Sequence, residues 1–170
     1  MRKWQLSEEN GSITILGIDP GLATAGYGVI RQEGSHLHYV DSGEISTNSK
    51  TDFGTRLLEL SNWLRDILDL SNPDVGVIEE TFYGANAKTA LQMGHARGAL
   101  LLTLAQSDVK SVEYSARKIK QSVVGNGAAS KEQVEYMVKN LLNMDNISSQ
   151  HASDALAAAI CHANHGTVIK

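Results

Sequence analysis

What this chain of 170 residues lacks narrows its function before what it contains does. It has a single cysteine, Cys161, which can form no internal disulfide and has no cysteine partners for a zinc site. A reducing, cytoplasmic compartment is therefore expected, and Cys161 reads as buried packing. No apolar run approaches the roughly 18 residues that a membrane-spanning helix needs. The opening stretch MRKWQLSEENGS is polar and has no secretory hydrophobic region, so a soluble protein that is not exported is expected. Familiar catalytic motifs are missing as well: no G-x-S-x-G elbow, no Walker A loop, no H-E-x-x-H, and no G-x-G-x-x-G leading into a helix and an acid. Internal repeats and low-complexity tracts are also absent. At 42% hydrophobic and 20% charged residues, the composition suits one globular domain, read as 13–165 between a polar arm at 1–12 and a short tail at 166–170.

Excess positive charge is lacking too, since the formal net charge is -4, but the average hides a division along the chain. Residues 1–82 carry 6 Lys+Arg against 13 Asp+Glu, a net of -7, whereas residues 83–140 carry 8 against 4, a net of +4. An acidic pocket beside a basic region is what a metal-dependent phosphodiesterase requires, with carboxylates for divalent ions and cations for the nucleic-acid backbone. Two solvated helix faces would give the same totals, so the charge division points to this chemistry without establishing it.

The stretch that is present and informative is ITILGIDPGLATAGYGVI, residues 13–30. Ile13, Ile15, Leu16 and Ile18 form a buried strand, Pro20-Gly21 stops it, and Asp19 is left at its tip before a returning strand over Gly26–Ile30. Taken alone, an Asp before a glycine turn reads equally well as a turn cap. Further on, Leu37–Ile45 reads as a third, antiparallel strand, and Phe53, Leu57, Leu60, Leu64 and Ile67 or Leu68 mark a helix that Ser71-Asn72-Pro73 ends. Val75–Ile78 is a second buried strand followed by Glu79-Glu80; alternation allows only one of these two acids to share a pocket with Asp19, and the pattern leaves both candidates open. Ala87–Gln106 reads as a long helix whose Ala90, Gly94 and Gly98 permit close approach of another helix or strand, within the core or from a second subunit.

Val109–Tyr114 is a fifth strand, and Ser115–Val124 a short basic helix with Arg117, Lys118 and Lys120. Ser130 with Gln133 forms a capping-box start for the next helix. In the last helix His151 and Asp154 are three apart and share a face. The expected fold is an α/β mixed five-stranded sheet, its first three strands antiparallel, with helices on both faces. Clustered acids from Asp19, Glu79 or Glu80, and Asp154 would repel one another in a half-buried pocket. Divalent cations, magnesium or manganese, are the ordinary remedy, and two of them can drive phosphodiester hydrolysis without a nucleophilic side chain.

Four stretches, LGIDPGLATAGYGVI, VIEETFYGANAKTALQMGHARGAL, EYSARKIKQSVVGNGAASKEQV and HASDALAAAICHA, are spread in order along the chain from about Ile15 to His162. In this order they resemble the RuvC family, bacterial Holliday-junction resolvases of the ribonuclease H-like superfamily. The resemblance implies that Asp19, Glu79 and Asp154 are catalytic metal ligands, with Glu80 facing away. It also implies that Phe82, with Tyr83 beside it, stacks on bases at the junction centre, and that Lys120 and Lys131 contact the DNA backbone, with Lys118 and Arg117 as weaker candidates. At His151 the best-known form of the family has Asp, while other branches carry His; a nitrogen ligand to the second ion, with Mn2+ replacing Mg2+ readily, is expected, or else a residue that orients water. Further implications are a homodimer that nicks two strands of like polarity, and the branch-migration proteins RuvA and RuvB as partners. Two rivals remain in view: a junction-binding module without activity, and a fragment of an actin or sugar-kinase type ATPase, for which this chain is too short.

Overall fold

The computed structural model describes residues 11–80 and 86–166. In chain order the elements are β1 (Ser12–Asp19), β2 (Thr24–Glu33), β3 (His36–Ser46), α1 (Phe53–Ser71), β4 (Val75–Glu79), α2 (Ala87–Gln106), β5 (Lys110–Tyr114), α3 (Ala116–Val124), α4 (Lys131–Leu142) and α5 (Gln150–His165). Most of the polar arm, the tail after Gly166, and both Phe82 and Tyr83 lie outside the described residues.

The strands form one mixed sheet in the order β3-β2-β1-β4-β5. β1 pairs antiparallel with β2 and β2 with β3, whereas β4 runs parallel to both β1 and β5. The central strand β1 is covered on both faces, which is why its sequence is a continuous apolar run rather than an alternation. Leu16 and Ile18 point into a core shared with Leu60 and Leu64 of α1 and Leu100 and Leu104 of α2. Ile15 points the other way, toward Ile119 of α3, Val134 of α4 and Leu156 of α5. Helices therefore lie on both faces, as the sequence pattern anticipated. Among the described residues no helix is long and apolar enough to cross a membrane.

Local chemistry sets the helix ends. Asp52 caps α1 by accepting from the Thr55 backbone N–H at 3.0 Å. At α4 the Ser130 hydroxyl accepts from Gln133 N–H, while the Gln133 side chain accepts from Ser130 N–H, satisfying two otherwise unpaired donors. One expectation changes on α2. Among the described residues a Cβ at Gly94 or Gly98 would meet nothing within 4 Å, so these small residues admit no close neighbour there and instead lie on an open face.

Close approach occurs elsewhere, between α5 and the first hairpin. Gly17 and Gly28 are paired across β1 and β2, and a Cβ on Gly17 would run into the Ala155 carbonyl, one on Gly28 into Leu156. The alanines of α5 complete the fit, because Ala155 and Ala159 are fully buried against this glycine floor. Gly17→Ala is accordingly expected to cost roughly 3 kcal/mol through overpacking against backbone, read as a fall of about 10 °C in Tm. Melting within a degree or two of the parent protein would show that the helix has room to move off the strand.

Candidate active site

Because β1 and β4 are parallel neighbours with Ile18 opposite Ile78, their last residues, Asp19 and Glu79, lie side by side at the C-terminal ends of these two inner strands. Strand alternation then decides between the two adjacent glutamates. Val75 and Val77 face the α3–α5 core and Ile78 faces α1 and α2. Glu79 therefore shares a face with Val77, and with Asp19, which follows Ile18 in the same way. Glu80 is exposed, and its backbone N–H donates to the Tyr114 carbonyl at 2.9 Å.

The start of α5 brings the remaining groups. Gly26 is the partner of Asp19 across the hairpin, and a Cβ there would strike the backbone of His151. Only a residue without a side chain lets the helix begin directly over the tip of β1. His151 Nδ1 consequently lies 2.7 Å from Asp19 Oδ2. With Nδ1–H donating to the carboxylate, Nε2 is left with its lone pair free. One turn further on, Asp154 accepts from Lys131 Nζ at 3.0 Å on one oxygen and from Gln150 Nε2 at 3.0 Å on the other.

Asp19, Glu79, His151 and Asp154 line one cavity of about 540 Å³. Its wall on the α3–α5 side includes Ile119, Lys120, Lys131 and Val134, and its wall on the α1–α2 side includes Leu22, Arg56, Thr89, Gln92 and Met93. Burial pushes the Glu79 carboxyl up to about 7, helped by the charges of Asp19 and Asp154 and only partly opposed by Lys131 and Lys120. Asp19 is also raised, by burial first, against the lowering effect of the His151 hydrogen bond. Lys131 is raised, chiefly by its hydrogen bond to Asp154. A Glu79 carboxyl pushed up to about 7 beside an Asp19 carboxyl that is also raised marks a pocket short of positive charge.

This donor set, three carboxylates and one imidazole with no thiolate, fits hard divalent cations. The groups do not form a closed ligand cluster among the described residues. Asp19 is turned to His151, and Asp154 to Lys131 and Gln150. Lys131 acts there as an internal counter-ion, but its side chain is 61% exposed and can leave.

Of the basic candidates, Lys120 and Lys131 reach the cavity wall, while Arg117 and Lys118 do not line it. Lys118 Nζ instead sits 4.7 Å from the centre of the Tyr114 ring, and Arg117 packs by Gly127. The sequence reading missed Gln150, which donates to Asp154, and Arg56, which lines the cavity. Gln150 carried a signal, its spacing of four before Asp154 on one helix; Arg56 carried none, because α1 meets the site only through the fold.

Comparison with known proteins follows the same line. The family model described as Crossover junction endodeoxyribonuclease RuvC matches residues 15–162. The curated protein of that name from Geotalea uraniireducens is 46% identical over 150 residues, covering 88% of each chain. The one from Vibrio vulnificus strain YJ016 is 47% identical over 150 residues, covering 88% of this chain and 86% of its own. Among solved structures, Thermus thermophilus RuvC in complex with Holliday junction substrate superposes with a TM-score of 0.85 at 28% identity, over 89% of this chain and 93% of that one. The five-stranded sheet, its order and its flanking helices are thus those of a resolvase whose relatives align along nearly their whole length, and this chain belongs to the RuvC family of crossover junction endodeoxyribonucleases.

Proposed function

We propose that this protein resolves four-way DNA junctions by paired, symmetric nicks, as a homodimer that uses two divalent ions, Mg2+ with Mn2+ as an effective substitute. The observation that carries the reading is the convergence of Asp19, Glu79, His151 and Asp154 on one cavity that also has Lys120 and Lys131 in its wall. When bound, the ions supply a polarised water and neutralise charge on the leaving oxygen of a phosphodiester. Asp19, Glu79 and Asp154 would hold them as oxygen donors, and His151 would add Nε2, its tautomer set by Asp19. Incubating the protein with Mg2+ and a synthetic four-way junction is the direct test. Two nicks of like polarity at symmetric positions support the reading, and binding without nicking reduces it to an inactive junction-binding module. ATP turnover without nicking would favour the kinase-type alternative.

Several features support the finer parts. On α2, Leu91 is 63% exposed and Leu102 59% exposed, on the same side as the open Gly98, an apolar stripe suited to a second copy of this chain. A two-fold dimer matches the two-fold symmetry of a junction. Phe82 and Tyr83, which follow Glu79 closely in the chain, are assigned to stacking on opened bases, a contact worth about 1–3 kcal/mol per base. RuvA and RuvB are assigned as partners on family grounds alone.

Lys131 is assigned two consecutive tasks: it neutralises Asp154 in the free protein and moves to a phosphate oxygen when DNA enters. Lys131→Ala should then weaken junction binding and reduce the slope of log K against log salt by about 1. A variant that kept the full slope would remove Lys131 from the list of phosphate contacts. Lys120 is given the same kind of contact, with Lys118 and Arg117 as peripheral ones.

For His151 the expectation concerns the metal. His151→Asp replaces a nitrogen donor by an oxygen donor, so the Mn2+ to Mg2+ activity ratio should fall severalfold. The acidic limb of the pH profile should move to lower pH, since carboxylates ionise below imidazoles. If both stay where they are, His151 orients water rather than binding an ion.

A further inference from the structure

Arg56 is the cation of the cavity that none of the readings above uses. It belongs to α1, lines the cavity with Leu22, Thr24 and Thr89, and is half-buried. α1 packs on the face of the sheet opposite to α3 and α4, because Leu60 and Leu64 share a core with Leu16 while Ile119 and Val134 share one with Ile15. Lys120 and Lys131 therefore stand on one side of the acidic strand tips, and Arg56 stands on the other.

The guanidinium is held by neutral oxygens. Nε donates to Thr47 Oγ1 at 2.9 Å and Nη2 to the Leu22 carbonyl at 3.3 Å. Thr47 in turn donates its hydroxyl to Leu22 O at 2.6 Å and its backbone N–H to Ala23 O at 3.0 Å. The turn that follows Asp19 is thus tied to α1 through this pair. Among the described residues Arg56 makes no ion pair with a carboxylate. A planar guanidinium has five N–H donors, and two serve the brace. A pre-oriented guanidinium with donors to spare among the described residues, lining the cavity proposed to take a phosphodiester, suits a phosphate oxygen.

We propose that Arg56 is a phosphate-binding and positioning residue. It would grip the DNA strand from the α1 side while Lys120 and Lys131 hold it from the other, so that the strand is seated across the carboxylates rather than along one wall. This rests on the proposed junction-nicking activity and deepens it.

The test is the salt dependence of junction binding by the full-length protein. Arg56→Gln should weaken binding roughly tenfold at low salt, as expected for loss of a charged hydrogen bond, and reduce the log–log slope by about 1. Arg56→Lys should keep the slope, and Thr47→Val, which loosens the brace without removing charge, should keep it too. If Arg56→Gln and Thr47→Val both lower Tm and neither alters the slope, Arg56 only braces the turn and the proposal is overturned. A measurement on the unaltered protein makes the outcome independent of how the variants fold: saturating junction should protect Arg56 from phenylglyoxal, read by mass spectrometry. Equal modification with and without junction overturns the assignment. Failure of the unaltered protein to bind junctions at all would instead overturn the nuclease reading, and this one with it.

Discussion

Asp19→Asn is expected to reduce nicking of a four-way junction by about 10³-fold or more while leaving junction affinity close to that of the unaltered protein. The size follows from position. Asp19 lies at the tip of β1, beside Glu79 and 2.7 Å from His151, so it is the acid shared by both halves of the donor set. Asparagine keeps the shape and can still pair with His151, but it cannot offer a charged oxygen to a cation. Losing several kcal/mol of transition-state charge stabilisation at 1.36 kcal/mol per tenfold gives a factor of about a thousand. Binding should survive, because the phosphate contacts assigned to Lys120 and Lys131 are cationic and the mutation removes a negative charge. Asp154→Asn should behave similarly and should also release Lys131, whose ordinary partner is the Asp154 carboxylate. Residual nicking within tenfold of the unaltered protein, for either variant, would remove these acids from the reaction.

Glu79→Gln is expected to do two opposite things: abolish nicking, and stabilise the metal-free protein above neutral pH. The Glu79 carboxyl ordinarily titrates at 4.5 and in the fold is pushed up to about 7, first by burial and then by the charges of Asp19 and Asp154. Between those two values the folded state binds more protons than the unfolded chain, so stability falls as pH rises through the window. The contribution is fully present below 4.5 and lost above about 7. Glutamine removes that cost at alkaline pH and changes little at the acid end. A gain on the order of 2 kcal/mol at pH 8 follows when the exposed part of the side chain is discounted, or about 5 °C in Tm. Adding Mg2+ should erase the difference, because cation binding stabilises the unaltered protein and not the variant. A Glu79→Gln protein whose metal-free Tm matched its parent at both pH 5 and pH 8 would mean that Glu79 is not confined among like charges. The trade is ordinary for a catalytic pocket, where function keeps charges that folding alone would discard.

Much of the molecule could be read from residue order, and the reasons differ from place to place. The central strand was legible because its apolar run ends at Asp19-Pro20-Gly21, and a proline-glycine pair stops a strand whatever surrounds it. Helix α4 was legible because Ser130 and Gln133 satisfy each other's backbone donors, an interaction only three residues long. α2 was legible as a helix, but its glycines misled in part: spacing shows that a neighbour could come close and not whether this chain provides one. Lys131 was read as a DNA contact, and its pairing with Asp154, 23 residues away, had no sequence signal.

The residues by themselves determined the inventory: which strands end in acids, which helix carries His151 and Asp154 on one face, and that a basic segment follows an acidic one. Those features depend on neighbours a few positions apart, where backbone sterics and side-chain period leave little choice. Only the tertiary structure decided that the glycines at 17, 26 and 28 let α5 lie close enough to bring His151 onto Asp19 and that Arg56 reaches the same cavity from the far side of the sheet, and strand register placed Glu79 rather than Glu80 beside Asp19, a choice that residue pattern left open and family resemblance alone implied. Each of those is a meeting of segments distant along the chain, set by strand register and by how closely a helix can pack on a sheet, and short-range pattern carries no record of it.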